Sequence, residues 1–104
     1  MINTIKQMFG FGPKVNYPQL MKNGAVIIDV RTKGEYQQGH INESQNIPLD
    51  MLPSHLTKLN KDTTIITCCA SGMRSGQAKR MLQSNGFSSV YNGGGWNLLN
   101  NKIK

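Results

Sequence analysis

The chain has 104 residues, enough for one domain and too few for two separate cores. Apolar residues make up 38% and charged residues 16%, which excludes a disordered, highly charged composition. Twelve Lys and Arg against five Asp and Glu leave a net charge of +7, a balance that favours anionic partners.

Ile2, Ile5 and Met8-Phe9 recur at helical spacing, and Gly10 and Gly12-Pro13 close that segment. The first ten residues hold Lys6 as their cation and no long apolar stretch, so neither a secretory signal nor a membrane span is expected. Asn16 predicts an N-cap for a helix over residues 17–22, stopped by Asn23-Gly24. Residues 25–30, Ala-Val-Ile-Ile-Asp-Val, form a continuous apolar run that predicts a strand buried on both faces. Thr32 and Glu35 stand at the spacing of a capping box, opening a helix that ends near Gly39.

Residues 44–47 predict a short strand stopped by Pro48, and residues 53–59, with Leu52, Leu56 and Leu59 on one stripe, a third helix. A second central strand is expected over residues 62–67. A tight loop from Cys69 to Arg74 then leads into a helix over residues 75–84, capped by Asn85-Gly86. Residues 88–91 predict a last strand, followed by Gly93-Gly94-Gly95 and a short final helix. This alternation predicts an α/β fold, a parallel sheet flanked by helices on both faces, with a single domain over residues 1–104 and its core at about 15–100. Ligands of such sheets sit beyond the C-terminal strand ends, where Asp29 and Cys69 both fall.

Cys69 is the candidate nucleophile. If the loop curls around its sulfur, the backbone N–H groups of Ala70, Ser71, Gly72, Met73, Arg74 and Ser75 form an anion-binding nest. The helix N-terminus adds donors and a positive dipole end. Gly72 permits a left-handed backbone, and Arg74 offers a fixed cation with a planar fork of donors. Each of these favours thiolate over thiol, whose ordinary pKa is about 8.5. The adjacent pair Cys68 and Cys69 makes a poor disulfide, so free thiols in a reducing cytoplasm are expected. Cys68 points to the opposite face of its strand, with burial or a resolving-thiol role open.

Cys69-Ala-Ser-Gly-Met-Arg-Ser75 resembles the active-site loop of the rhodanese family of single-domain sulfurtransferases. Ile28-Asp-Val-Arg31, Glu35-Tyr-Gln-Gln-Gly-His-Ile41 and Asn46-Ile-Pro48 resemble its first signature, and Gly86-Phe87, Val90 and the 93–95 glycines its closing segment. The resemblance covers about residues 15–100 in one register. It implies a rhodanese-like parallel sheet, a Cys69 persulfide, and transfer of sulfane sulfur from thiosulfate or another small anionic donor. The acceptor would be a thiol, an acceptor protein or, in the test tube, cyanide; neither a metal nor an organic cofactor is implied. The sequence departs from the family where Asn42-Glu43-Ser44 replaces Pro-Gly-Ala, where Trp96 directly follows the glycines, and where the loop lacks an Arg-Lys pair.

Two other classes compete: a non-catalytic interaction module of the same fold, and a phosphatase or arsenate reductase of related fold. Four residues separate Cys69 from Arg74, one fewer than in the phosphatases, which makes the narrower ring that suits a sulfur atom rather than a phosphate. Asp29 and Arg31 are either entrance charges or a structural ion pair. His40 is read as a backbone-bonding side chain and His55 as exposed. Met8, Met21, Met51 and Met81 are read as core fillers and Met73 as a lining of the site entrance. Two His and two adjacent Cys lack metal-ligand spacing. The lysines are scattered without interleaved aromatics, so nucleic acid and membranes are not expected partners.

Overall fold

A computed structural model describes residues 14–104. The helical spacing at residues 2–9, with Met8, lies outside the described residues. From Asn16 onward the elements are α1 (Tyr17–Lys22), β1 (Val26–Asp29), α2 (Lys33–Gln38), β2 (Ser44–Asn46), α3 (Leu52–His55), β3 (Ile65–Cys69), α4 (Met73–Ser84), β4 (Val90–Gly95) and α5 (Trp96–Ile103). The four strands form one parallel sheet, as the alternation of elements predicts, in the order β2-β1-β3-β4.

Local chemistry sets several element ends. Asn16 accepts the Gln19 N–H at 3.1 Å and opens α1. Thr32 and Glu35 exchange both hydrogen bonds of a capping box at the start of α2. Gly24 and Gly86, both at φ +95°, take the left-handed turns after α1 and α4. The third helix is interrupted: Leu49–Met51 and Leu56–Lys58 are 3-10 turns flanking the single α-turn of α3. It begins at Leu49, four residues ahead of the expected start.

Successive strand residues face opposite ways and build two cores. Ile28, Ile65, Cys69 and Val90 pack with Ala78, Leu82 and Phe87 on the α4 side. Ile27, Ile66 and Cys68 pack with Tyr17, Ile41 and Leu99 on the side of α1 and α5. Met21 and Met81 fill in at the edges of these cores, whereas Met51 is 49% exposed and fills neither.

β3 and β4 both run further toward their C-terminal ends than the pattern predicts. β3 includes Cys69, and β4 takes in Gly93 to Gly95. At Gly93 the sheet allows nothing larger than glycine. A Cβ on Gly93 would stand 2.8 Å from both the Thr67 carbonyl oxygen and Leu99 Cδ2. Thr67 O is backbone and cannot yield. Gly93→Ala is therefore expected to cost about 1–3 kcal/mol through overpacking, read as a lower urea midpoint at unchanged slope.

Candidate active site

The site is built where β3 hands over to α4. Cys69 is the last residue of β3, and α4 begins at Met73, two residues earlier than expected, leaving Ala70 to Gly72 as the whole turn. Met73 and Arg74 thus belong to the first helical turn rather than to the loop. Gly72 is the helix N-cap at φ +106°, a left-handed conformation that an L side chain adopts only with strain. That conformation turns its N–H onto Cys69 Sγ at 2.9 Å.

Ser75, fully buried in the first turn of α4, brings its Oγ within 3.3 Å of the same sulfur. Burial opposes ionisation of Cys69, which is 1% exposed, but the Ser75 hydroxyl and the N–H groups of Ser75, Gly72 and Ser71 outweigh it. The Cys69 pKa is accordingly lowered from that of an ordinary thiol. Ala70 and Ser71 are exposed around the turn, and Met73, 77% exposed, stands on the solvent side of the helix start.

A side chain outside the loop motif braces this cradle. Asn92, on β4, accepts the Ser75 hydroxyl at 2.6 Å and the Gly94 N–H at 2.9 Å, and donates to the Gly72 carbonyl at 3.2 Å. Thr67 Oγ1 donates to the Ser75 carbonyl at 2.8 Å from below. The sequence pattern assigns Asn92 no role, because that role depends on β4 lying beside β3, a pairing that the local pattern does not reveal.

The two arginines behave differently from a pair of free anion-binding groups. Arg31, 4% exposed, is locked to Asp29 by Nε at 3.0 Å from both carboxylate oxygens and by Nη2 at 2.8 Å. Its remaining donors reach the carbonyls of Gly39 and Glu35, and its guanidinium lies 4.7 Å over the Trp96 ring. Asp29 is fully buried, so this is a structural ion pair rather than an entrance charge. The sequence pattern has Arg74 offering its fork to the site. In the fold its Nη1 and Nη2 instead grip Glu35 at 2.6 and 3.0 Å, a pairing across 39 residues. Arg74, helped by the Thr32 N–H, holds the Glu35 carboxyl at about 2.

Cys68 faces away from this cradle, in the core on the side of α1 and α5. Burial pushes its thiol up, and the neighbouring Asp29 carboxylate adds to the effect. A thiol so protonated, on the far face of the sheet, is a poor resolving partner for Cys69. His40 Nδ1 lies 2.7 Å from the Tyr36 carbonyl and its ring stacks on Tyr36 at 3.8 Å. His55 is half-buried rather than exposed, with Nδ1 3.0 Å from the Met51 carbonyl. Among the described residues no three His, Cys, Asp or Glu side chains gather as a metal site, and no helix is long and apolar enough to cross a membrane.

Residues 16–102 match the model of the rhodanese-like domain family. The uncharacterized protein YqhL of Bacillus subtilis is 37% identical over 81 residues, which span 77% of this chain and 64% of that protein. Thiosulfate sulfurtransferase PspE of Escherichia coli is 39% identical over 70 residues, 65% of this chain and 67% of PspE. Among solved structures, a rhodanese with anions from E. coli superposes with a TM-score of 0.67 at 37% identity, covering 71% of this chain and 89% of the other.

Gly72 tests the cradle. A Cβ there meets Gly94 Cα at 3.5 Å, an ordinary contact, so the cost of Gly72→Ala is conformational rather than steric. A loss of about 1–2 kcal/mol is expected in chemical denaturation. Reaction of Cys69 with a small alkylating agent at neutral pH should slow, because the misplaced N–H no longer stabilises the thiolate.

Proposed function

This chain belongs to the rhodanese-like domain family, and on that footing we propose that it is a sulfurtransferase whose Cys69 carries sulfane sulfur as a persulfide. The observation that carries this reading is the Gly72 N–H directed at a buried Cys69 Sγ, with the Ser75 hydroxyl beside it. Such donors, already aimed at the sulfur, stabilise the thiolate that attacks the donor.

With thiosulfate as donor, the Cys69 thiolate attacks the outer sulfur and forms an S–S bond. The bond from that sulfur to the sulfonyl sulfur breaks, and sulfite leaves with the electron pair. The charge of the donor and thiolate together, three negative, is retained by the persulfide anion and the sulfite dianion. A thiol or acceptor protein then attacks the outer sulfur and returns the Cys69 thiolate; cyanide does the same and leaves as thiocyanate. This is covalent catalysis in two half-reactions, with the enzyme-bound persulfide between them.

The three-residue turn supports sulfur over phosphate as the occupant. Gly72 N–H already reaches the cysteine sulfur itself at 2.9 Å, so the ring closes on one atom. A tetrahedral oxyanion needs donors spread around it at a greater distance from the sulfur. A docking module without chemistry, in turn, has no use for a lowered thiol pKa at the end of a buried strand.

Incubation with thiosulfate should add one sulfur atom to the native protein, seen by intact mass, and cyanide should remove it. Cys68→Ser is expected to load normally, and Cys69→Ser to load nothing while keeping its fold. Equal loss in both variants would place the sulfur elsewhere.

A further inference from the structure

Although the whole chain carries +7, the guanidinium groups beside the cradle are balanced. Asp29 neutralises Arg31 in the interior, and Glu35 neutralises Arg74 nearer the surface. The second pair is bidentate and partly exposed, and it stands beside the nucleophile: Arg74 is in the first turn of α4, close enough to Cys69 for the two charges to interact. The cap of α2 holds Glu35 in place for this pairing. Thr32 N–H and Oγ1 both donate to Oε1, the oxygen that also takes Arg74 Nη1. Lys33, exposed in the first turn of α2, adds only solvent-screened charge.

We propose that Glu35 is a specificity-determining residue: by occupying the Arg74 guanidinium it biases the site toward sulfane donors of low negative charge over the thiosulfate dianion. The inference rests on the sulfur-transfer reading above. The favoured class is thiol persulfides and thiosulfonates, whose outer sulfur reaches Cys69 without a second charge having to approach the Glu35 carboxylate. Coulomb energy scales with donor charge, so a carboxylate at the entrance penalises a dianion twice as heavily, in logarithmic terms, as a monoanion.

Thiosulfate and methanethiosulfonate separate charge from chemistry. Both deliver a terminal sulfur to the Cys69 thiolate; the first releases sulfite and the second methanesulfinate, with one negative charge fewer on the donor. The measurement is kcat/KM for persulfide formation with each donor. Glu35→Gln keeps a side-chain oxygen for the Thr32 N–H and so retains the cap of α2. It should raise kcat/KM on the order of tenfold for thiosulfate and roughly threefold for methanethiosulfonate, both gains shrinking as salt is added. Arg74→Gln should act in the opposite sense and lower the thiosulfate value more than the other.

Glu43→Gln removes the same charge just before β2, at the N-terminal edge of the parallel sheet and away from Cys69, and should leave the donor ratio unchanged. Equal gains for the two donors, or the same ratio change in Glu43→Gln, would overturn the role of Glu35 while leaving sulfur transfer intact. Should Glu35→Gln fail to fold, the double variant Glu35→Gln/Arg74→Gln, which leaves neither charge unpaired, should exceed Arg74→Gln alone in its ratio of thiosulfate to methanethiosulfonate kcat/KM, and an equal ratio would overturn the role of Glu35. A native protein that accepts sulfur from neither donor would defeat the sulfur-transfer reading and this inference together.

Discussion

Cys69 is 1% exposed, and an anion on its sulfur at that depth has lost nearly all of its water. The protein must replace that hydration, because an ionised group buried without partners would simply take up a proton. Gly72 N–H at 2.9 Å, the Ser75 hydroxyl at 3.3 Å and the N–H groups of Ser71 and Ser75 supply the replacement. Most of what surrounds the site exists to keep those donors converged. Gly72 must be left-handed to aim its N–H, Ser75 must be buried, and α4 must begin at once after the turn.

The sheet provides the rigidity. β3 is buried along its whole length, which fixes where Cys69 ends and the turn begins. β4 lies beside it closely enough that Gly93 admits no side chain, and from that strand Asn92 reaches both Gly72 and Ser75. On the other side, Arg31 and Asp29 tie the end of β1 to the carbonyl of Gly39 after α2, with Trp96 stacked over the guanidinium. The buried Asp29–Arg31 pair thus serves as structure. The contrast with Cys68, one residue away, shows how much depends on direction: the same thiol on the opposite face, beside Asp29 and without donors, is pushed toward the protonated form.

What the sequence disclosed is what local chemistry decides. Asn16, the Thr32 and Glu35 box, and the glycines at 24, 72 and 86 act within a few residues of themselves, so their spacing is enough to place them. The Cys69 turn is legible for the same reason. Partnerships across the fold are not. Arg74 meets Glu35 across 39 residues, and Asn92 meets Ser75 across 17, so neither pairing leaves a periodic trace. The 93–95 glycines read as a break because glycine usually ends a strand; here it lets β4 pass against Thr67 and Leu99. Part of the interruption of the third helix is local, since Pro53 lacks the N–H that would bond the Leu49 carbonyl and so separates the Leu49–Met51 turn from α3.

Titration of the Cys69 thiolate by its ultraviolet absorbance, in Cys68→Ala protein so that one thiol is observed, tests the central claim most directly. The folded protein should ionise at a pH below that of the same chain in denaturant, and Ser75→Ala should move the folded value upward. A folded thiol that ionises at or above the denatured value would mean that burial outweighs the donors, and that the cradle does not make the nucleophile.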